Sequence, residues 1–314
     1  MFDIVCVGVI VADTLAKTVD KMPESGTLMP IGSIELFTGG CALNSAIDMA
    51  KLGMNTAIIG KIGGDGFGTF IKSELQKYKI NDEGLAIDAE TPTSASVVLS
   101  ASSGERSFIH CFGANAVFCE EDIDYKIIEN SNIVFLAGFN LMTTFDGKQA
   151  AKFLEKVKKM GKTTVLDTAW DPSGEWMNKL KPCMPYIDWF LPSKEEAELL
   201  SGETEYIKIH DKFKSLGAKN IVIKLGKEGC FYVDNGYNAV IVPTFDIIKP
   251  IDTNGAGDSF CAGFLTAMTK GKNLHDCCVF ANAVGTYCVS KMGASTGVAD
   301  FETTMKFIET GIFN

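Results

Sequence analysis

Six stretches of this chain are apolar almost without interruption: Ile4–Val11, Thr56–Ile62, Ile133–Ala137, Thr163–Asp167, Trp189–Leu191 and Asn220–Leu225. A strand with one wet face alternates polar and apolar residues. Continuous runs rich in Val and Ile therefore predict strands buried on both faces, as in a parallel sheet. Helix patterns lie between them, at Ala42–Leu52, Thr69–Tyr78, Asp146–Met160, Lys194–Leu200, Ile209–Leu216, Ala256–Thr269 and Leu274–Ser290. The alternation predicts an α/β fold with a doubly wound, mostly parallel sheet, whose ligands sit at the carboxyl ends of the strands.

Two stretches break that rhythm. Thr14–Thr38 and Thr91–Phe112 are strand-like, bounded by Pro or Gly, and hold no helix. In the second, Ser94–Leu99 and Arg106–His110 flank Ser102-Ser103-Gly104-Glu105, a hairpin pattern. The two insertions are expected to meet as a small β lid, residues 14–38 and 91–112. Residues 1–13, 39–90 and 113–314 then form the α/β domain that binds nucleotide and substrate. No internal repeat, low-complexity tract or linker divides the chain further.

Composition narrows the function classes. With 314 residues, 46% of them hydrophobic and 22% charged, the chain can bury a large core, and disordered, collagenous and coiled-coil readings fall away. A net charge of −10 repels phosphate backbones and anionic lipid, so neither nucleic acid nor membrane is an expected partner. No run approaches the roughly 18 apolar residues of a spanning helix. Met1-Phe2-Asp3-Ile4 lacks the basic and apolar regions of a signal peptide, so a cytoplasmic location is expected. The ten cysteines form no C-x-x-C pair and read as reduced, small hydrophobes, and three histidines make a poor metal set. The chemistry is left to carboxylates, backbone amides and glycines.

Asp252-Thr253-Asn254-Gly255-Ala256-Gly257-Asp258-Ser259-Phe260 runs directly into an apolar helix pattern. Small residues at a helix start expose unpaired N–H groups and the positive end of the dipole, which together receive an anion. A carboxylate in the same turn makes poor sense for holding phosphate alone, because like charges repel. It suits a base that takes the proton of an attacking hydroxyl as phosphate is transferred.

That string resembles the C-terminal signature of the ribokinase-like (pfkB-type) carbohydrate and nucleoside kinases. Gly39-Gly40-Cys41-Ala42-Leu43-Asn44-Ser45-Ala46, with Gly60-Lys61-Ile62-Gly63-Gly64-Asp65-Gly66-Phe67-Gly68, is similar to their N-terminal signature. The resemblance spans essentially the whole chain. It implies that Asp258 is the catalytic base and that the amides of Gly255, Ala256 and Gly257 form the anion hole for a γ-phosphoryl group. It implies that Asp13, Gly39, Gly40 and Asn44 bind the substrate; read by themselves, Asp13 is equally a turn residue and Asn44 a residue near a helix cap.

The same resemblance implies ATP and Mg²⁺ as cofactors. Glu196, in Leu191-Pro192-Ser193-Lys194-Glu195-Glu196, stands where the family's N-x-x-E element organises magnesium through water, with Ser193 replacing the usual Asn. A solvated acidic helix start is the competing explanation for Glu195 and Glu196. Lys224, Gly226 and Gly229 fall along the expected ATP phosphates and ribose, and Asn282 beside adenine, although Lys224 also reads as a strand end and Asn282 as helix packing. Some members bind a monovalent cation such as K⁺ through positions matching Asp252 and the carbonyls of Asn254 and Gly293; Gly297 stands where they carry Ser. Arg106, the one arginine, lies on the lid hairpin and is a candidate substrate clamp or lid contact.

Two other motifs do not hold. Gly161-Lys162-Thr163 lacks the upstream glycine of a P-loop and precedes a strand, and Gly63–Gly68 satisfies G-x-G-x-x-G in no register. The sequence therefore reads as an ATP-dependent sugar kinase. A nucleoside kinase is the alternative, since Asp252-Thr253-Asn254-Gly255 is the variant of adenosine-kinase-like members, and a non-catalytic sugar- or nucleotide-binding regulator is the more distant one. Ribose itself is disfavoured by Val11, Cys41 and Gly138-Phe139-Asn140 at positions that resemble ribokinase sugar contacts. A homodimer through the lid is expected.

Overall fold

A computed structural model describes residues 1–102 and 106–313; Ser103, Gly104, Glu105, Asn314 and the Arg106 side chain lie outside the description. In chain order the strands are β1 (Phe2–Gly8), β2 (Val11–Lys17), β3 (Ser33–Gly39), β4 (Thr56–Gly63), β5 (Asn81–Asp88), β6 (Ala95–Ser100), β7 (Arg106–Cys111), β8 (Ser131–Phe139), β9 (Thr163–Thr168), β10 (Trp189–Phe190), β11 (Asn220–Lys224), β12 (Cys230–Val233) and β13 (Ala239–Val242). The longer helices are α1 (Cys41–Lys51), α2 (Gly66–Lys77), α3 (Lys148–Lys159), α4 (Lys194–Ser201), α5 (Tyr206–Ser215), α6 (Ala256–Thr269), α7 (Leu274–Cys288) and α8 (Phe301–Thr310).

Nine strands form one sheet in the order β13-β12-β11-β10-β9-β8-β1-β4-β5. It is parallel from β5 through β11 and antiparallel at β12 and β13. The continuous apolar runs are continuous because both faces are covered. Ile4 and Cys6 of β1 pack into a core with Leu43, Ile47, Phe264 and Val284, whereas Val5 and Val7 pack into the opposite core with Phe153, Leu154, Phe190 and Phe213. Strand β1 pairs with β4 on one side and β8 on the other, which makes its carboxyl end the topological switch point where ligands bind in open α/β sheets.

The expected single strand Ile4–Val11 is in fact two. The chain leaves the large sheet after Gly8, and the polar groups of the bend are met by one buried side chain: Asn115 Nδ2 donates to the Ile10 carbonyl at 2.9 Å, and Ile10 N donates to Asn115 Oδ1 at 3.2 Å. Val11 then opens a second, four-stranded sheet in the order β3-β2-β6-β7. Both stretches that broke the rhythm contribute to it, joined by the parallel β2–β6 pair. Asp13, for which a turn position was the alternative to substrate binding, is a strand residue. The hairpin reading holds, with Ser96 opposite His110 and Ser100 opposite Arg106.

Asp65 ties the two sheets together at the start of α2. Its carboxylate accepts from Gly68 N at 2.8 Å as a helix cap, and from Thr93 N at 2.8 Å and Thr93 Oγ1 at 2.7 Å just before β6. All ten cysteines are free thiols. Among the described residues no helix is long and apolar enough to cross a membrane. Replacing Asp65 with Ala should lower stability by about 1–2 kcal/mol. A urea titration would show this as a lower midpoint at unchanged slope.

Candidate active site

The nine-residue string folds into a turn and the first turn of α6. Gly255 caps that helix at φ +78°, and a side chain there would lie 2.4 Å from the Ala294 carbonyl, so both conformation and space call for glycine. The first-turn amides of Gly257 and Asp258 have no acceptor within their own helix. Ala256 N, another of the expected anion-hole donors, makes a long local bond of 3.3 Å to Thr253 O.

Asp258 is partly exposed and meets α1. Asn44 Nδ2 donates to Asp258 Oδ2 at 2.8 Å, and Ser45 Oγ donates to the Asp258 carbonyl at 3.2 Å. Asn44 Oδ1 is buried without a partner, an acceptor left over for something the protein itself does not supply. Burial pushes the Asp258 carboxyl up from its ordinary value, while Asn44, the Lys224 ammonium and the Cys41 thiol pull it back.

The second sheet brings Asp13 to the same place. Its pairing aligns Phe37, Asp13, Ser96 and His110 in one cross-strand row on one face. Burial lifts Asp13 to about 6, with Ser96 pulling it down and the charge of Asp258 adding to the rise, so the two carboxylates feel each other. A Cβ at Gly39 would stand 2.2 Å from Asp13 Oδ2; that glycine lets the carboxylate lie against the backbone. Gly40 caps α1 and starts the helix that carries Asn44.

Beneath the amides sits an ion pair of which the sequence reading had only one half. Lys224, at the end of β11, contacts Asp167 of β9 with Nζ–Oδ distances of 2.7 and 2.8 Å, and both are buried. Its Nζ lies 3.4 Å from where a Cβ on Gly257 would be, directly below the turn. Burial works against this ammonium and Asp167 more than compensates, so the Lys224 pKa is raised. The same burial lifts Asp167, but two contacts this short favour the ion pair over the neutral one. Glu196 joins from α4: its Oε2 accepts from Thr168 Oγ1 and from Ser193 N, both at 3.0 Å. Glu196 is thus both a helix capping-box residue and part of the carboxylate group around Lys224.

Other expected residues take structural positions. A side chain at Gly229 would collide with the Val242 carbonyl at 2.0 Å, and Asn282 Nδ2 is engaged by the carbonyls of Val242 and Pro243 at 2.9 and 3.1 Å. Asn282 thereby holds the end of β13 instead of offering that amide outward. Gly226 has open space around it, at φ +57°. Asp252 accepts from Asn254 N at 2.8 Å and from Gly293 N at 2.9 Å, tying the turn before α6 to the loop at Gly293. Gly297 cannot be Ser here, since a Cβ would lie 2.1 Å from the Tyr287 carbonyl. The Arg106 side chain lies outside the described residues. Asp167, Thr168, Ser96 and His110 have no place in the sequence reading; Asp167 carried a signal, as the one carboxylate in the buried strand Thr163–Thr168.

A model of the pfkB family of carbohydrate kinases matches residues 1–300. A ribokinase from Arabidopsis thaliana is 29% identical across 98% of this chain and 82% of its own. A nucleoside kinase from Methanothermobacter thermautotrophicus is 26% identical across 91% of this chain and 89% of its own. The solved structure of Arabidopsis thaliana ribokinase complexed with ribose and ATP aligns with a TM-score of 0.83 at 26% identity, covering 98% of this chain and 99% of that one.

Removing one partner of the Asp167–Lys224 pair leaves an uncompensated buried charge. Asp167→Ala should cost about 3–5 kcal/mol, whereas the apolar pair Asp167→Leu with Lys224→Met should recover most of it. Urea unfolding of the two variants beside the wild type would check this.

Proposed function

The chain belongs to the pfkB family of carbohydrate kinases, phosphotransferases with an alcohol acceptor, and from that premise we propose that it moves the γ-phosphoryl group of ATP onto a hydroxyl of a small carbohydrate. Asp258 is the base, and the amides of Gly255, Ala256 and Gly257 form the anion hole. The observation that carries this reading is the 2.8 Å bond from Asn44 to Asp258. It joins the residue proposed to hold the substrate to the residue proposed to deprotonate it, across 214 positions of sequence.

Asp13 and the unpartnered Asn44 Oδ1 accept from substrate hydroxyls, which suits a polyol. One acceptor hydroxyl lies against Asp258 and gives up its proton there. Its oxygen forms a bond to the γ-phosphorus as the bond from that phosphorus to the bridging oxygen of ATP breaks, and ADP leaves. Charge on the three equatorial oxygens is met by the first turn of α6 and by Lys224 beneath it. Gly226 leaves room along the nucleotide, Gly229 and Asn282 shape the wall beside it, and the four-stranded sheet, residues 14–38 and 91–112 in the main, acts as the lid that excludes water.

For magnesium, the residues fit. Among the described residues no cluster of three ligating side chains is present, and Glu196 is the one hard oxygen donor proposed for such an ion, which keeps most of its waters and needs few protein ligands. When bound, the ion would neutralise phosphate charge. For a monovalent cation, Asp252 and the carbonyls of Asn254 and Gly293 are the proposed ligands, while Gly297 has no room for a hydroxyl side chain. ATP dependence and ten free thiols accord with a cytoplasmic location.

The opposite face of the small sheet supports a dimer. Leu36, Thr14, Val97 and Ile109 form one row and Ile34, Ala16, Leu99 and Ser107 the next. Ile34 is 69% exposed and Ile109 57%. Apolar side chains in water on a sheet with two open edges fit a second copy of the same sheet across a two-fold axis.

Asp258→Asn should lower kcat by about 10²–10⁴-fold while binding of a non-hydrolysable ATP analogue persists. Retained turnover would refute the base assignment. ADP release on a panel of sugars and nucleosides should favour sugars; activity confined to nucleosides would transfer the proposal to that class. In sedimentation the wild type should run at twice the 33.9 kDa chain mass and Ile109→Glu at the single mass.

A further inference from the structure

Helix α1 turns Asn44, Ser45 and, one turn after Asn44, Asp48 toward α6, and Lys51 follows toward the loop after α7. Asn44 grips Asp258, as described above. Asp48 is fully buried. Its Oδ2 accepts from Ser259 Oγ at 2.6 Å, and its Oδ1 has no partner. Lys51 donates to the carbonyls of Ser295 at 2.7 Å and Thr296 at 3.4 Å. Ser295 Oγ in turn reaches the Asn44 carbonyl at 3.4 Å.

A carboxyl group in this place is costly. An alanine would fill the same helix position in an apolar core without burying a polar atom that has no partner. Burial lifts the Asp48 carboxyl to about 7 against the pull of Ser259, Ser295 and Lys51, and Asp258 adds to the rise. Cys288 of α7 also faces it. What the group accomplishes follows from its partner. Ser259 is the residue after Asp258, and its hydroxyl can also reach the Ala294 carbonyl at 3.5 Å, the atom that backs Gly255. Grip on Ser259 therefore fixes the rotation of the first turn of α6 about its axis, and so the direction in which Asp258 and the amides point.

We propose that Asp48 is a positioning residue for phosphoryl transfer: its hydrogen bond to Ser259 locks the first turn of α6 onto α1, so that Asp258 stays in register with Asn44 and with the anion hole. This rests on the assignment of Asp258 as base, but its effect on the helix does not. The distinction from a purely structural role lies in which parameter moves. A misaligned base lowers kcat, because displacement of a reacting group by about 1 Å can cost on the order of 100-fold. Binding of substrates to a folded site is affected far less.

The test uses the full-length protein carrying Asp48→Ala, Asp48→Asn or Ser259→Ala, with thermal unfolding recorded for each. Asp48→Ala should lower kcat by about 10–100-fold with both KM values within about threefold. Asp48→Asn keeps an acceptor for the Ser259 hydroxyl and should restore most of the rate. Asp48→Ala and Ser259→Ala together should be no worse than the more damaging of the two. Hydrogen exchange of the 256–260 amides should be about tenfold faster in Asp48→Ala and near wild type in Asp48→Asn. That last measurement needs no turnover, so it reads the locking of the helix even if Asp258 proves not to be the base. Wild-type kcat and wild-type exchange in a folded Asp48→Ala protein would overturn the proposal, as would an Asp48→Asn protein as slow as Asp48→Ala.

Discussion

The contact between α1 and α6 is the constraint on which the rest depends. It joins the first fifth of the chain to the last through Asn44 and Ser45 on Asp258 and Asp48 on Ser259. Each helix begins at a glycine in a left-handed conformation, Gly40 at φ +87° and Gly255 at φ +78°. These turns aim both helix starts at the carboxyl end of β1. The large sheet serves this contact by burying the two helices against one face, in a core that includes Leu43, Ile47, Phe264 and Val284.

Electrostatics decides how an acidic chain can handle a more acidic ligand. The net charge is −10, and Asp13, Asp167, Glu196 and Asp258 lie close enough to shift one another or Lys224. Left alone, that group would repel a triphosphate. Two features offset it: the open amides and dipole of α6, and the Lys224 ammonium held below them. Lys224 is itself kept charged by Asp167, so a strand-end pair that looks like packing sets the field under the first turn of α6.

Much of this was legible in the sequence, for identifiable reasons. The helix Ala256–Thr269 is found as read, because a glycine turn and an apolar face mark both ends of it. The parallel strands were legible because burial on both faces removes polar residues. Strand β5 was not, since Asn81-Asp82-Glu83-Gly84 sits at an edge of the sheet and stays polar. Strands β12 and β13 are four residues each, although Asp234-Asn235-Gly236 between them is a hairpin signal. Of the proposed site, the residues that a local string carries, such as Asp258 and Asn44, could be named from the sequence, and those brought in by pairing across strands could not. Ser96 and His110 join Asp13 only through sheet register, and Asp167 joins Lys224 only because β9 and β11 lie on either side of β10.

The central claim is that an ionised Asp258, its pKa raised by burial, removes the proton of the acceptor. The most direct measurement is the pH dependence of the single-turnover rate of phosphoryl transfer, for the wild type and for Asp258→Asn. A base works only when deprotonated, so the wild-type rate should fall as the pH drops through a value above the ordinary carboxylate range of about 4, and stay level above it. The residual rate of Asp258→Asn should lack that limb. An acid limb of the same position and slope in both proteins would contradict the account.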